Sequence, residues 1–272
     1  MIKMIALDLD RTLLTSDKTI TASAEKILKN LHKRGIKVVL CTGRPINAIW
    51  GLIQQLGLTG NEDYTITFNG ALVVHNNDRK PLFQEGMTKT QLQSVYDFAK
   101  QHHTPLDVLD FKQVYEITDL KPSTYKEQFN AGKMSGSIQF LDRSFNQLSD
   151  KQSYSKAIIS DVAKLLDKDV SDIDDKVAQN YHIARSQPMV LEFLAPKMDK
   201  VVGLKALLKH FGWDFSNLMA FGDGQNDLGM VKAAGVGVAM DNAEPEVKKV
   251  SKATTLSNDN DGVAVYLERY FS

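Results

Sequence analysis

The segment that decides the fold lies near the start of the chain and consists of Met4-Ile5-Ala6-Leu7-Asp8-Leu9-Asp10-Arg11-Thr12. The run from Met4 to Leu9 predicts a buried strand, and the polar residues from Asp10 onward predict that a loop follows. Because side chains alternate faces along a strand, Asp8 and Asp10 are expected to point the same way. Two carboxylates in one place repel each other unless a cation or a proton neutralises them, and Mg²⁺ is the natural cation for oxygen ligands. Taken alone, the pair is equally well explained by solvated loop acids or by a helix cap.

The sequence around this segment alternates short apolar runs with helical patterns. Residues 24–34 carry apolar side chains at helical spacing, and Gly35 follows them as a C-cap glycine would. A second apolar run at residues 36–41 leads into a loop and a further helix through Leu56. The alternation returns near the end, with helices at 200–211 and 227–234 and strands at 218–221 and 236–239. This pattern predicts an α/β fold, a doubly wound and mostly parallel sheet with helices on both faces.

The middle of the chain follows a different pattern. We expect a helix at 90–102, strands at 106–109, 114–117 and 137–141, a helix at 155–166, and a strand pair at 181–185 and 189–194. Such an order is typical of an antiparallel sheet with helices on one face, an α+β domain. The predicted organisation is therefore an α/β domain formed by residues 1–83 and 189–272, with an α+β domain inserted at residues 84–188.

The composition limits the classes of function. The chain has 272 residues, enough for two domains, and its 33 basic residues balance its 33 acidic ones. Zero net charge without a basic run argues against nucleic-acid binding. Cys41 is the only cysteine, which excludes an internal disulfide and a zinc site built from several thiolates. The start of the sequence lacks the pattern of a secretory signal and no stretch approaches the ~18 apolar residues of a membrane span, so we expect a cytoplasmic protein without membrane association.

Three further segments place candidate functional residues at the ends of predicted elements, where ligands bind in open α/β sheets. Thr42 and Gly43 could hold a phosphate oxygen through a hydroxyl and backbone N–H groups. Lys200 begins a helix, and a glycine-containing turn at residues 222–227 includes Asp223, Asn226 and Asp227. Each segment has an ordinary alternative, namely a threonine N-cap, a solvated surface lysine and a capped helix start.

Taken together and in this order, these residues resemble the haloacid dehalogenase (HAD) superfamily. The pattern consists of Asp8 and Asp10, then Thr42, then Lys200, and finally Asp223, Asn226 and Asp227. The domain inserted between the second and third of these motifs resembles the large α/β cap of Cof-type phosphatases. Phe68-Asn69-Gly70-Ala71 and Leu191-Glu192-Phe193 add to the likeness, which extends over essentially the whole chain.

The resemblance implies a role for each of these residues. Asp8 would attack phosphorus and form an aspartyl-phosphate, and Asp10 would act as general acid and then as general base. Mg²⁺ would be held by the Asp8 carboxylate, the Asp10 backbone carbonyl and Asp223. Asp227 would orient Lys200 or a metal-bound water. The groups expected to bind phosphate oxygens are Thr42, the backbone N–H groups of Leu9 and Gly43, Lys200 and Asn226.

Arg11 departs from the pattern, because the family commonly has glycine at this position. If the turn requires a positive φ, a residue with a side chain costs about 1 kcal/mol of strain there. We expect the Arg11 side chain to point to solvent, with a contact to the inserted domain or to a substrate anion as alternatives.

The expected function is that of a Mg²⁺-dependent phosphatase acting on a small phosphorylated metabolite, with sugar phosphates as the preferred class. A phosphotransferase or phosphomutase on the same scaffold is one alternative, in which an acceptor hydroxyl intercepts the aspartyl-phosphate. A phospho-acceptor of the receiver type and a non-catalytic sugar-phosphate-binding protein are the others. The oligomeric state stays open, because no exposed heptad or apolar stripe stands out in the sequence.

Overall fold

A computed structural model describes residues 1–127, 139–196 and 198–272 of the chain. The chain divides into two compact units, Met1–Gln84 with Asp199–Ser272, and Glu85–Met198. We call them the core unit and the inserted unit. The sequence placed the second boundary after residue 188, whereas the division lies after residue 198. The difference arises because Val190–Leu194 pairs with Lys156–Ser160 in the sheet of the inserted unit.

The described residues form strands and helices in a mixed order. The strands are β1 (Met4–Leu7), β2 (Lys37–Leu40), β3 (Tyr64–Thr67), β4 (Leu72–His75), β5 (Pro81–Gln84), β6 (Asp107–Leu109), β7 (Gln113–Ile117), β8 (Gln139–Arg143), β9 (Lys156–Ser160), β10 (His182–Gln187), β11 (Val190–Leu194), β12 (Leu218–Gly222), β13 (Val236–Ala239) and β14 (Ala253–Thr254). The α-helices are α1 (Ala22–Lys33), α2 (Trp50–Leu56), α3 (Lys89–His102), α4 (Ala163–Ser171), α5 (Asp175–Ala178), α6 (Lys200–His210), α7 (Leu228–Ala233), α8 (Pro245–Val250) and α9 (Gly262–Phe271).

The core unit is built on a five-stranded parallel sheet with the order β14-β13-β12-β1-β2. All residues of the adjacent strands β1 and β12 are buried, so both faces of the sheet are covered. A strand buried on both faces needs apolar side chains at successive positions, which is why its sequence shows a continuous apolar run. The predicted α/β fold with a parallel sheet is confirmed.

The helices of the core unit pack in two groups. In one group α1 contacts α2 and α9, and in the other α7 contacts both α6 and α8. Helix α1 begins after Thr21, whose hydroxyl accepts a hydrogen bond from the N–H of Ala24 at 3.2 Å. The chain turns after α1 at Gly35, whose φ of 89° is one that glycine adopts readily. Among the helices of the described residues, none has the length and apolar character needed to cross a membrane.

A small antiparallel sheet, β3-β4-β5, extends the core unit beyond β2. A single parallel bridge between Cys41 and Ile66 joins it to the end of β2. A short 3-10 turn, Phe68–Gly70, connects β3 to β4, and α6 packs against all three strands. The turn Phe68–Gly70 therefore lies close to the carboxyl end of β2.

The inserted unit contains a six-stranded sheet with the order β10-β11-β9-β6-β7-β8. Its pairings are antiparallel except for that between β7 and β8. Helix α3 contacts β9 and α5, and α4 contacts β11. The predicted α+β character of the inserted domain is confirmed.

Two expectations for the inserted unit need comment. The helix predicted at residues 155–166 is wrong, because Lys156–Ser160 forms β9 and α4 begins only at Ala163. The β-branched pair Ile158 and Ile159 lies in a strand paired on both sides, by β6 and β11, and this pairing determines its conformation. For the strand predicted at 137–141, residues 137 and 138 lie outside the described residues, and β8 occupies Gln139–Arg143.

Candidate active site

The candidate site lies at the carboxyl edge of the parallel sheet in the core unit. Asp8 directly follows β1, Asp223 directly follows β12, and Thr42 lies two positions beyond the end of β2. Since β1 is the neighbour of both other strands, the three loops lie side by side. The backbone N–H of Asp8 donates to the carbonyl of Phe221 at 3.2 Å and ties the first loop to the third.

Three aspartates form a buried acidic cluster at this edge. One carboxylate oxygen from each of Asp8, Asp223 and Asp227 lies within 4.8 Å of the others. The three residues are only 6%, 3% and 1% exposed, respectively. Buried carboxylates at such a separation repel one another strongly unless positive charge is close by.

Lys200 supplies positive charge inside the acidic cluster. Its Nζ donates to Oδ1 of Asp8 at 2.5 Å and to Oδ1 of Asp227 at 2.6 Å, and its side chain is fully buried. Lys200 is the first residue of α6, and Asp199 before it accepts a hydrogen bond from the N–H of Val201 at 3.2 Å. Burial acts to lower the pKa of Lys200, but the charges of Asp227 and Asp8 outweigh burial and raise this pKa above its usual value. The ammonium group therefore stays charged and contacts two of the three carboxyl groups of the cluster.

Burial and a neighbouring carboxylate raise the pKa of two carboxyls in the cluster. Burial, followed by the charge of Asp227, raises the pKa of Asp8 to about 8 against the opposing effect of Lys200. Burial and Asp227 also raise the pKa of Asp223 to about 6, against the hydrogen bond from Thr12. A hard dication would favour the ionised form of both groups, because it adds positive charge at a site whose donors are all oxygen atoms.

Asp227 is held in place by the backbone of its own turn. Its Oδ2 accepts hydrogen bonds from the N–H groups of Asp223 at 2.9 Å and of Gly224 at 3.0 Å. Gly222 permits this approach, since a Cβ at position 222 would lie only 2.4 Å from the Cβ of Asp227. The other oxygen of Asp227 accepts from Lys200, so Asp227 is placed to orient that lysine.

The loop after β1 is attached to Asp223 by two side chains. The hydroxyl of Thr12 donates to Oδ1 of Asp223 at 2.9 Å, and Nε of Arg11 lies 3.5 Å from Oδ2. Arg11 has a φ of 63°, so the turn does adopt the left-handed conformation that favours glycine. Its side chain is 58% exposed, but the guanidinium also donates to the carbonyl of Asn242 at 3.0 Å. The solvent-facing side chain that we expected is thus also tied to the loop after β13.

In the part of the chain that the structure describes, the acidic cluster does not include Asp10, whose side chain pairs with basic residues instead. Its carboxylate accepts hydrogen bonds from Nε of Arg44 at 2.9 Å, from Nη2 of Arg44 at 2.5 Å and from Nζ of Lys18 at 2.8 Å. Burial acts to raise the pKa of Asp10, but the charges and hydrogen bonds of Arg44 and Lys18 hold it below its usual value. The alternation of side chains along a strand predicted that Asp8 and Asp10 point the same way. In the structure their carboxylates have separate partners, Lys200 for Asp8 and both Arg44 and Lys18 for Asp10.

The other residues predicted to bind phosphate lie in the loops that follow β1, β2 and β12. Thr42 is 2% exposed, and its hydroxyl accepts a hydrogen bond from the N–H of Arg44 at 3.1 Å. Leu9 is fully buried and places its backbone between the two aspartates of the first loop. The side-chain amide of Asn226 donates to Oδ1 of Asn69 at 3.3 Å, and Asn69 also lies against Gly43.

Sequence reasoning assigned no role to three residues that contact these groups. Arg44 stands in the same loop as Thr42, so a basic residue next to a predicted anion site was the available signal. Asn69 was noted only as part of a resemblance, and Lys18 gave no signal of its own. Lys18 and Arg44 carry charges that only the folded loops bring to Asp10.

Cys41, the only cysteine in the sequence, lies beside the candidate site. Cys41 is fully buried next to Thr42, and burial raises the pKa of its thiol above the usual value. A protonated thiol is a poor nucleophile, since the thiolate is the reactive form. Asp8, which directly follows β1, also has a raised pKa. One of its oxygens accepts a hydrogen bond from the charged Lys200, and a bound cation would favour its ionised form.

The chain matches known proteins over nearly its whole length. The family model described as haloacid dehalogenase-like hydrolase matches residues 5–267. YxeH of Bacillus subtilis (strain 168) is 31% identical over 265 residues, which cover 97% of this chain and 96% of that protein. In the same organism, 5-amino-6-(5-phospho-D-ribitylamino)uracil phosphatase YitU is 30% identical over 295 residues, covering 99% of this chain and 97% of that protein.

Solved structures have the same fold. A haloacid dehalogenase-like hydrolase from Bacteroides thetaiotaomicron superposes with a TM-score of 0.82 at 30% identity, with 100% of both chains covered. TM0651 from Thermotoga maritima superposes with a TM-score of 0.84 at 24% identity, over 99% of this chain and 97% of that one. The predicted enzyme class, a phosphatase-type hydrolase, agrees with these relatives. The chain therefore belongs to the haloacid dehalogenase-like hydrolase family.

Proposed function

We propose that this chain is a Mg²⁺-dependent phosphatase that hydrolyses small phosphorylated metabolites, with sugar phosphates as the first class to test, through an aspartyl-phosphate intermediate. The observation that carries the proposal is the buried cluster of Asp8, Asp223 and Asp227 around a single lysine, Lys200. This cluster has more acidic than basic charge and stands at the edge of the sheet where ligands of open α/β folds bind.

Asp8 is the proposed nucleophile. An oxygen of its carboxylate would form a bond to phosphorus while the bond from phosphorus to the leaving alkoxide breaks, and water would then hydrolyse the aspartyl-phosphate. Lys200 holds Asp8 Oδ1 at 2.5 Å, which fixes the direction of the carboxylate and leaves Oδ2 as the candidate attacking atom. Asp227 keeps Lys200 in this position through its own contact at 2.6 Å.

The residues present fit a magnesium ion. Three carboxylates with oxygens within 4.8 Å of one another offer the all-oxygen donor set that this ion prefers. We propose Asp8, Asp223 and the backbone carbonyl of Asp10 as its ligands. Asp227 would support these ligands without binding the ion itself. When bound, the ion would offset the repulsion between Asp8 and an approaching phosphate.

Asp10 is the proposed general acid and base, and its surroundings set a condition on that role. A carboxylate with a lowered pKa accepts a proton weakly and spends little time in the protonated form. Arg44 and Lys18 would therefore have to move away from Asp10 before it protonates the leaving alkoxide. The remaining proposed phosphate contacts are the Thr42 hydroxyl, the amide of Asn226 and the backbone N–H groups of Leu9 and Gly43.

The substrate class is inferred from the relatives. YitU, 30% identical over nearly the whole chain, is named for a substrate that carries a phosphorylated ribityl group. A phosphate ester on a polyhydroxylated carbon chain is therefore the first kind of molecule to test. The same chemistry would serve other small phosphate esters, so nucleotides and an aryl phosphate belong in the same panel.

The test is phosphate release from such a panel, with Mg²⁺ and with EDTA. We expect metal-dependent release by the wild type and a loss of roughly 10⁴-fold or more in Asp8→Asn, since removal of a nucleophile has effects of that size. Asp17→Asn is the matched control, because Asp17 is an exposed aspartate of the same loop. Release that survives Asp8→Asn would contradict the assignment of the nucleophile.

Two outcomes would favour the alternative functions. Transfer of phosphate to an added sugar in preference to water would indicate a phosphotransferase or phosphomutase. A folded wild-type protein that releases no phosphate from any compound, with or without Mg²⁺, would indicate a phospho-acceptor or a sugar-phosphate-binding protein.

A further inference from the structure

The turn between β3 and β4 has an unusual backbone that the proposed chemistry does not use. Phe68, Asn69 and Gly70 follow one another with φ values of 51°, 53° and 100°. Left-handed conformations are readily adopted by glycine and tolerated by asparagine, but they are strained for a bulky residue such as phenylalanine. Strain of this kind persists only where the surroundings impose it, and it is concentrated at functional sites.

The surroundings that impose this turn are the loop after β2 and the start of α6. The backbone N–H of Asn69 donates to the carbonyl of Thr42 at 3.0 Å, and the N–H of Thr42 donates to the carbonyl of Ile66 at 2.9 Å. On the other side, a Cβ at Gly70 would lie 2.2 Å from the carbonyl oxygen of Asp199. The turn is thus packed between two segments that carry proposed phosphate-binding residues.

The Asn69 side chain contacts the loop after β2 and one further segment, the loop after β12. It is 8% exposed, and its Oδ1 accepts a hydrogen bond from Nδ2 of Asn226 at 3.3 Å. A Cβ at Gly43 would lie 3.0 Å from Oδ1 and 3.1 Å from Nδ2 of Asn69, so the backbone of residue 43 lies directly against the amide. One buried side chain therefore spans the loops that follow β2 and β12.

We infer that Asn69 is a positioning residue that sets the direction of the Asn226 amide and of the Gly43 backbone toward the phosphate. The two N–H bonds of a primary amide lie in one plane, so holding one of them at Asn69 fixes the direction of the other. The Gly43 backbone is held differently, by packing directly against the Asn69 side chain. The inference rests on the proposed function, because it gives Asn226 and Gly43 their role as phosphate donors.

The main test is Asn69→Gly, which removes the amide and keeps a residue that adopts a φ of 53° readily. We expect kcat/KM for the best phosphate ester of the panel to fall roughly 10- to 100-fold, the usual loss when a residue that orients a site group is removed. His103→Gly is the matched control, since His103 is an exposed residue with a φ of 55°. We expect the control to keep its kcat/KM.

A double-mutant cycle separates positioning from a general structural role. If Asn69 acts through Asn226, Asn69→Gly should lower kcat/KM by a clearly smaller factor in an Asn226→Ala background than in the wild type. The loss that remains in that background is the part that acts through Gly43. Equal losses in both backgrounds, or full activity of Asn69→Gly alone, would overturn the inference. Asn69→Asp keeps an acceptor oxygen for Asn226 and is the second variant if Asn69→Gly does not fold. It should bind inorganic phosphate more weakly than the wild type, because it adds a negative charge beside the phosphate donors, and phosphate inhibition equal to that of the wild type would overturn the inference.

A second readout distinguishes failure of the inference from failure of the proposed function. If the wild type releases no phosphate, the proposed function fails, and Asn69 is then tested through the increase in melting temperature caused by inorganic phosphate with Mg²⁺. A smaller increase in Asn69→Gly than in the wild type would support positioning of an anion site. An equal increase, or none in the wild type, would overturn it.

Discussion

The core unit and the inserted unit each bury a lysine against carboxylates, and the two surroundings differ in charge balance. In the inserted unit, Lys156 is 4% exposed and donates to Oε1 of Glu192 at 2.6 Å. One ammonium faces one carboxylate there. In the core unit, Lys200 is shared between Asp8 and Asp227, and Asp223 completes the cluster.

This difference in charge balance distinguishes a structural ion pair from a candidate binding site. In a buried one-to-one pair the two charges neutralise each other, and breaking the pair mainly lowers the stability of the folded protein. The cluster has three carboxyl groups, one buried ammonium and, near Asp223, the largely exposed guanidinium of Arg11. Its acids outnumber its bases, so it attracts a cation or holds a proton. Burial is the largest cause of the raised pKa of Asp8 and of Asp223, and the charge of Asp227 adds to it.

The largest effect is expected from Lys200→Met. The substitution removes a proposed phosphate contact and leaves Asp8 without its ammonium partner, so kcat/KM should fall at least about 10³-fold. Steady-state kinetics on a folded variant measures it. Lys205→Met, which removes an exposed lysine from the same helix, should stay within a few-fold of the wild type. A folded Lys200→Met variant with wild-type kcat/KM would contradict a functional role for the cluster around Lys200.

The next effect concerns the pair in the inserted unit. Lys156→Met leaves Glu192 buried without a partner and should lower the free energy of unfolding by about 3 kcal/mol. The double variant Lys156→Met/Glu192→Leu removes both charges and should recover most of that loss. Urea denaturation measures all three proteins, with Lys151→Met as the exposed control. If the double variant is as unstable as Lys156→Met, the pair is not the balanced structural element described above.

Mg²⁺ should stabilise the folded protein by binding at the acidic cluster of the core unit and not at the pair of Lys156 and Glu192. At ~100 times its Kd, a ligand that binds only the folded state adds about 2.7 kcal/mol to the free energy of unfolding. Thermal unfolding with Mg²⁺ and with EDTA should show this gain in the wild type and in Lys156→Met. We expect it to be absent in Asp223→Asn. A gain that is equal in Asp223→Asn would place the ion elsewhere.

The smallest effect is a pH dependence in the inserted unit. Burial raises the pKa of Asp107 to about 7, although a hydrogen bond from Ser123 opposes the shift. The folded protein therefore binds this proton more tightly than the unfolded chain, so the stabilising contribution is full at low pH and is lost as pH rises through the folded pKa. Between about pH 5 and pH 7 the loss should be about 2 kcal/mol.

Denaturation of Asp107→Asn over this pH range checks the assignment. The variant should show a fall smaller by about 2 kcal/mol, because Asp8 and Asp223, whose pKa values are also raised, keep their own part of it. Asp142→Asn, which changes an exposed aspartate on β8, should retain the wild-type fall. Retention of the full slope by Asp107→Asn would mean that another group titrates.

The parallel sheet could be predicted from the sequence because β1 and β12 are buried on both faces. A strand buried on both faces has a continuous apolar run, which is visible in the sequence. The sequence did not predict β9, because the lysine and serine that flank Ala157, Ile158 and Ile159 fit a helix equally well. Only the pairing with β6 and β11 decides between the two conformations. Local patterns record burial, but they do not record which distant strand supplies the partner.

The same limit applies to the candidate site. Asp8, Lys200, Asp223 and Asp227 were predicted from residue types at strand and helix ends, and the structure brings them together. The partners of Asp10 were not predicted, since Arg44 and Lys18 reach it only through the path of two loops. The contact between Asn69 and Asn226 joins residues 157 positions apart, and no local pattern could show it.

The buried thiol of Cys41 provides an internal reporter of motion at this edge. Its N–H donates to the carbonyl of Leu7 at 2.8 Å, and the next residue is Thr42. Because Cys41 is fully buried, a thiol reagent could reach it only when the structure around it opens. Such an opening beside Thr42 would also disturb the loop proposed to bind phosphate. The rate of thiol labelling therefore counts how often the site opens, and a ligand that holds the loop closed should slow it.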